Sequence, residues 1–236
     1  MAQSYFKNFP KINYKLSNGR WVTVRDFFRK SKIEQESVNS IIDYQFYELK
    51  DGERPDIVAH RLYGSSKLHW TFFLVNQMEN YLDWYKDQRT MEVYMNEKYP
   101  GKYLLPALTS DIIGQDRKFL IGEKLSSPSA NGRILQVEPT YKRIGVSKGA
   151  WSEGETVTGE VSGKTMEIES VIDMIDGVAY YKDANGLKRN YDGAGFTSVS
   201  LWEMEEEENE EKRLIKYIRP ELIRKVVREF ERVMSN

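Results

Sequence analysis

The chain has 236 residues, 40% hydrophobic and 30% charged, enough to bury a core as one large domain or two small ones. Its 35 basic and 36 acidic residues leave a formal net charge of -1, so no long-range field is expected to draw in DNA, RNA or an anionic membrane. With no cysteine in the sequence, disulfide scaffolds, thiolate metal sites and cysteine nucleophiles are excluded, and the composition suits a reducing cytoplasm.

No window of about 18 apolar residues occurs, and the first residues, MAQSYFKNFPK, lack a signal-peptide core. A soluble protein not exported by the usual route is expected. Aromatic residues make up 13%, with 15 Tyr and 5 Trp, which suits protein–protein interfaces and large aromatic cores equally.

Residues 1–43 read as an arm rather than an independent domain. Phe6, Phe9, Ile12, Tyr14 and Leu16 are apolar positions in an extended stretch broken by Pro10. Asn18-Gly19 is a hairpin turn leading to the strand-like Trp21-Val22-Thr23-Val24. Such an arm lies along something, either its own globule or a neighbouring subunit. Asp26 to Lys30 can begin a short helix, and Val38 to Ile42 leads into the next strand.

Residues 44–110 form the expected core of the fold. Tyr44 to Leu49 alternates and is rich in aromatics, as in a half-buried strand, and Asp51-Gly52 ends it. Pro55 suits the first position of a helix, Asp56 complements its dipole, and Val58, Ala59, Leu62 and Tyr63 share a face. Gly64 is placed to stop that helix in the left-handed conformation. A second helix from Leu68 to Val75 is apolar almost all round, so it should be buried on most sides. Tyr81 to Tyr85 should return as a strand or hug the module's edge. Thr90 to Lys98 predicts a helix closed by Pro100-Gly101. Leu104 to Leu108 shows no periodicity and reads as a linker, with a boundary near Ser110.

In residues 111–204 Gly, Ser, Thr and Val replace the helical pattern. Two pieces look alike: Phe119 to Val137 and Trp151 to Val171. Each has an aromatic residue, a Gly-Glu three residues later, an apolar residue at Leu125 or Val157, and a Gly-initiated alternating strand. Two such hairpins predict a small all-β insertion, an SH3-like or OB-like barrel or a sandwich. Val178 to Tyr181 reads as a strand ended by the turn Asp183 to Gly186. Tyr180, Tyr181, Lys182, Lys188 and Arg189 lie near one another, but interspersed aspartates argue against a single-stranded nucleic-acid platform.

Residues 205–236 begin with an acid run, Glu205 to Glu208 with Glu210 and Glu211, expected as a solvated turn or helix end. It lacks the alternating ligands of a calcium loop. Leu214 to Ile218 predicts a strand that can pair with the central module. Pro220 opens a terminal helix with Leu222, Ile223, Val226, Val227 and Phe230 as one apolar stripe.

Signatures of catalysis do not occur: HExxH, a P-loop, GxGxxG after a strand and GxSxG are all missing. The two histidines, His60 and His69, lie within the predicted helices, and the carboxylates are too abundant to single out a catalytic pair. No enzyme activity, cofactor or metal is therefore expected.

The order Asp51-Gly52, Val58-Ala59, Tyr63-Gly64 and Asn76 after an apolar helix resembles a LysM module, a small β-α-α-β fold best known for binding N-acetylglucosamine polymers. The bulky His69-Trp70-Thr71-Phe72-Phe73 departs from the half-apolar second helix of sugar-binding modules and resembles the LysM-like core of phage tail proteins. With YFKNFPKINYKL near the start and NEEKRLIKYIRPELIRKVVREF near the end, the chain is similar to the baseplate wedge protein 53 family of contractile-tailed bacteriophages. The resemblance implies an α+β fold with a LysM-like core, an N-terminal arm, a β insertion and a C-terminal strand plus helix.

It further implies a structural subunit that clamps neighbouring wedge subunits during tail assembly. Such a protein would be made in the host cytoplasm and sit in the virion's tail baseplate in multiple copies. Its partners would be other wedge and hub-proximal proteins, without nucleic acid or membrane. The alternative is a peptidoglycan-binding LysM module, with its groove between Asp51–Pro55 and Asn76–Asn80. Candidate interface residues are Arg54, Tyr63, Trp70, Asn76, Ile223 and Val227, each of which could equally be a core or cap residue.

Overall fold

The computed structural model describes residues 9–26, 44–107 and 118–235. The helix expected from Asp26 to Lys30, the lead-in from Val38 to Ile42 and the boundary near Ser110 fall largely or wholly outside these residues. Along the chain come β1 (Lys11–Lys15), β2 (Trp21–Arg25), β3 (Tyr44–Glu48), α1 (Pro55–Tyr63), α2 (Trp70–Val75) and α3 (Gln88–Lys98). Then follow β4 (Gly101–Pro106), β5 (Lys124–Ser126), β6 (Asn131–Glu138), β7 (Arg143–Ser147), β8 (Thr156–Gly159) and β9 (Thr165–Asp173). The last elements are β10 (Val178–Lys182), β11 (Lys188–Arg189), β12 (Thr197–Ser200), α4 (Leu201–Glu211), β13 (Leu214–Ile218) and α5 (Ile223–Ser235). The fold is mixed α+β and divides into two compact units, residues 1–87 with 209–236, and residues 88–208.

In the first unit, β1 and β2 form the hairpin expected at Asn18-Gly19, with Gly19 at φ 81°. β3 and β13 pair antiparallel from Tyr44 with Ile218 to Glu48 with Leu214. Alternation turns Tyr47 and Ile215 toward α1 and α2, where Leu49, Val58, Ala59, Phe72 and Trp84 complete a core. Phe46 and Leu214, on the opposite face, are exposed. Helix α1 starts at Pro55 and stops at Gly64, whose φ of 70° is the left-handed value expected there. Trp70, Thr71, Phe72 and Val75 of the short α2 are buried, as its apolar composition requires.

Tyr81 to Tyr85 does not form a strand. Asn80 Oδ1 accepts from the Leu82 N–H at 2.7 Å, and Asp83 Oδ2 accepts from the Asn80 N–H at 3.0 Å. This reciprocal cap winds Tyr81–Asp83 into a 3-10 turn. Trp84 and Tyr85 then bury themselves against the module, which is the other arrangement the sequence allowed.

The second unit holds a closed barrel in the order β4-β7-β6-β5-β8-β9, with β9 pairing back onto β4. Its interior is lined by Leu104, Leu125, Ile134, Ile144, Val146, Val157, Met166 and Ile168. The linker expected at Leu104 to Leu108 is replaced through Pro106 by strand β4. Leu104 fills the barrel while its neighbour Tyr103 packs with Met174 and Leu201 in a separate cluster. Burial on both faces removes the alternation by which a strand is recognised.

The two similar pieces form the hairpins β5-β6 and β8-β9. Leu125 and Val157 occupy equivalent inward positions, and Gly122 and Gly154 share left-handed φ values of 87° and 78°. The acid run fills the C-terminal half of α4 to its last residue, Glu211, so it is the expected helix end rather than a turn, but it is not wholly solvated. Glu205 is buried there, accepting from Tyr94 and Tyr99 hydroxyls and the Lys98 ammonium. Burial alone would raise its pKa, but those hydrogen bonds hold the carboxyl below its ordinary value.

Candidate functional site

The first unit presents an exposed apolar arm on a buried anchor. Phe9 is buried with Trp70 of α2 and Phe230 of α5, and Leu74 and Val227 pack around the three rings. Two residues later the chain enters the β1-β2 hairpin, whose open end is closed by the Asp26 N–H donating to the Pro10 carbonyl at 2.9 Å. Beyond that point the hairpin is largely solvated: Tyr14 is 54% exposed and Trp21 62%.

The register sorts the hairpin into two unlike faces. Ile12 opposes Val24 and Tyr14 opposes Val22, giving one apolar face. On the other face Lys11 opposes Arg25, Asn13 opposes Thr23 and Lys15 opposes Trp21. The Thr23 hydroxyl donates to Asn13 Oδ1 at 3.0 Å, and the Lys15 ammonium lies 6.0 Å from the Trp21 ring centroid. Residues 11–25 contain Lys11, Lys15, Arg20 and Arg25 without a carboxylate. A two-stranded hairpin is marginal by itself, so an arm with this apolar face gains stability from a surface that covers it.

The six candidate residues are placed as follows. Trp70 and Ile223 are buried, and Val227 contributes to the clusters around both. Tyr63 stacks on Phe72 with ring centroids 5.6 Å apart and meets Tyr217 edge-on. Burial pushes its phenol up to about 12; lying against Thr71 and the Ile218 backbone, the hydroxyl makes no hydrogen bond of standard geometry among the described residues. Arg54 is exposed before α1 and pairs with Asp56 at 3.2 Å.

Asn76 joins α2 to β13. Its Nδ2 donates to the carbonyls of Phe72 and Lys216 at 2.9 and 2.8 Å, and its Oδ1 accepts from the Lys216 N–H at 2.8 Å. The side chain therefore continues the β13 edge as a short piece of strand would. Five of the six residues thus gather where α2, β13 and α5 meet, and Arg54 stands apart. Tyr14 and Trp21, the most exposed aromatics among the described residues of the arm, were not among the candidates; the turn at Asn18-Gly19, which makes a two-stranded ribbon with one of them on each face, is the signal that marks them.

The turn between β3 and α1 is fixed internally. The Trp84 indole N–H donates to the Glu53 carbonyl and the Tyr85 hydroxyl to Asp51 Oδ1, both at 2.8 Å. The Glu53 carboxylate meets the Tyr47 hydroxyl and Arg61. Burial works to raise the Glu53 pKa, but the Lys50 N–H, Arg61 and Tyr47 hold it below its ordinary value. His60 is exposed, and His69 Nδ1 lies 2.9 Å from the Ser66 carbonyl. Among the described residues no group of three His, Cys, Asp or Glu side chains could hold a metal ion, and no helix is long and apolar enough to cross a membrane.

Residues 4–103 match the model of a protein family described as base plate wedge protein 53. That segment contains the arm, β3, both helices of the central module and the start of β4. No curated protein matches the chain.

Proposed function

We propose that this chain, whose residues 4–103 match the model of the base plate wedge protein 53 family, belongs to that family and is a structural subunit of a phage tail baseplate that clamps neighbouring wedge subunits together. The observation that carries the reading is the exposed hairpin set on a buried foot. Phe9 holds the arm to α2 and α5, while Ile12, Tyr14 and Trp21 remain open to a partner. Buried aromatics fix the direction in which such an arm leaves the body, and exposed ones supply the contact.

The central module is read as LysM-like. In support, β3, α1 and α2 come in that order, and β13, reached only after the barrel-containing segment, pairs antiparallel with β3 to supply the second strand. Glycan binding is the less favoured use of that module. The polar groups that would line a groove beside Asp51–Pro55 and Asn76–Asn80 are already engaged, Asp51 with Tyr85, Asn76 with Lys216 and Asn80 with Leu82. Sugar would have to displace those bonds, whereas a protein partner covering the arm displaces none of them.

Co-sedimentation of the purified chain with the other baseplate components, and separately with purified peptidoglycan, tests the reading. The parent should be retained by baseplate components, and a Tyr14→Ser/Trp21→Ser variant should keep its melting temperature and lose that retention. Retention by peptidoglycan, or unchanged retention of the variant by baseplate components, would count against the clamp.

A further inference from the structure

The barrel carries an exposed apolar tip that the matching end of its pseudo-repeat lacks. Glu123 is buried and ties two turns together: its carboxylate accepts from the Leu120 N–H at 2.7 Å, the Val161 N–H at 3.1 Å, and the Ser162 N–H and hydroxyl at 2.9 Å each. The turns joined this way expose Leu120 at 47%, Ile121 at 70% and Val161 at 72%. Exposed lysine and arginine side chains, Lys118, Lys124 and Arg133, stand nearby, with Arg133 donating to the Gly122 carbonyl at 3.0 Å.

The second repeat builds the corresponding device from polar residues. Its carboxylate, Glu155, accepts from the Ser129 N–H and hydroxyl at 3.3 and 2.6 Å, so each repeat's glutamate grips the other repeat's hairpin turn. Aligning Phe119 with Trp151 and Gly122-Glu123 with Gly154-Glu155 puts Ser152, Glu153 and Ser129 where the first device has Leu120, Ile121 and Val161. The same alignment puts Ala150, Thr156 and Thr165 where it has Lys118, Lys124 and Arg133. One backbone solution thus occurs twice, and the exposed aliphatic side chains with their cations occur at one end only. Neither closing the barrel nor making the turn demands them.

We propose that this tip, formed by Leu120, Ile121 and Val161, docks into an apolar hollow edged with carboxylates on a neighbouring baseplate subunit. The cations match an acidic edge, and three aliphatic side chains carried on turns whose backbone Glu123 holds can fill a hollow with little loss of backbone freedom. Glu160, exposed beside Val161, would press a carboxylate into the headgroups of an anionic membrane, whereas a protein edge can pair it. The proposal rests on the baseplate reading and assigns the barrel, most of which lies beyond residues 4–103, a contact of its own.

The test uses the full chain co-expressed with the other wedge subunits, with a photo-crosslinking amino acid at position 121. Crosslinking to an acidic segment of one wedge subunit is expected, falling at least tenfold with Val161→Asp and with Lys124→Glu/Arg133→Glu while the melting temperature holds. Crosslinks to a second copy of this chain, no crosslink within assembled complexes, yields insensitive to those substitutions, or co-sedimentation with phosphatidylglycerol vesicles would each overturn it. A parent chain that enters no wedge complex overturns the baseplate reading and this proposal together. A parent that enters while position 121 stays unreacted overturns this proposal alone.

Discussion

Trp70 and Phe230 lie with ring centroids 4.4 Å apart and planes 35° from parallel, so the central module and the C-terminal helix share one aromatic contact. Phe9 completes it from the N-terminal side. Three distant segments of the sequence therefore depend on a single cluster, and the arm's foot is as firm as that cluster.

Trp70→Ala should cost the first unit about 3 to 5 kcal/mol, a large fraction of a small domain's stability. Phe230→Ala should cost about the same, and the double variant less than the sum, because both remove the same contact. Urea denaturation followed by far-UV circular dichroism measures all three. A parent-like curve for Trp70→Ala would show that the ring carries no core packing.

Asn76→Ala should destabilise the first unit by about 1 to 3 kcal/mol, since it leaves the Lys216 amide and carbonyl without their side-chain partner, while the Phe72 carbonyl keeps the bond from the residue 76 backbone N–H. Asn76→Asp should be no better. A carboxylate accepts from the Lys216 N–H but has no hydrogen for the Phe72 and Lys216 carbonyls. Hydrogen exchange at the Lys216 amide reports the bond directly, and protection equal to the parent's in Asn76→Ala would refute the assignment.

Where local chemistry decided the conformation, the sequence was readable. Asn18-Gly19 dictates the hairpin and its faces, Pro55 and Gly64 bracket α1, and the repeated Gly-Glu marks both barrel hairpins. Other features depend on partners that no local pattern reveals. β4 is buried on both faces and loses its period. Glu205 belongs to a run of glutamates, yet lies inside because Lys98, Tyr94 and Tyr99 come to meet it. The candidate interface residues share the difficulty, because a ring such as Trp70 suits a contact surface and a core equally until Phe230 is found against it.

Gly101 follows the helix-ending Pro100 and opens β4, where a side chain has no room. A Cβ built there would lie 2.0 Å from the Val146 carbonyl oxygen and 2.8 Å from Met174 Sδ. Backbone rather than a flexible side chain blocks it, so Gly101→Ala must move β4 away from β7. A loss of about 2 to 4 kcal/mol, or a chain that no longer accumulates in soluble form, is expected. Thermal unfolding of the variant checks this, and an unchanged barrel transition would refute it.

The Glu123 carboxylate supplies a pH test with a definite sign. Burial acts to raise its pKa, but the donors at Leu120, Ser162 and Val161 hold it below the ordinary carboxylate value. A carboxyl whose folded pKa is depressed contributes its stability above the unfolded value, near 4.3, and loses it as pH falls through the folded one. Glu123→Gln keeps the shape, replaces an acceptor oxygen by a donor facing other donors, and should cost about 1 to 3 kcal/mol at pH 7. Because the parent forfeits its advantage in acid, the difference in unfolding free energy between parent and variant should shrink from pH 5 to pH 3. Denaturant unfolding across that range measures it; a gap independent of pH would mean that the ionised carboxylate does not hold the two turns together.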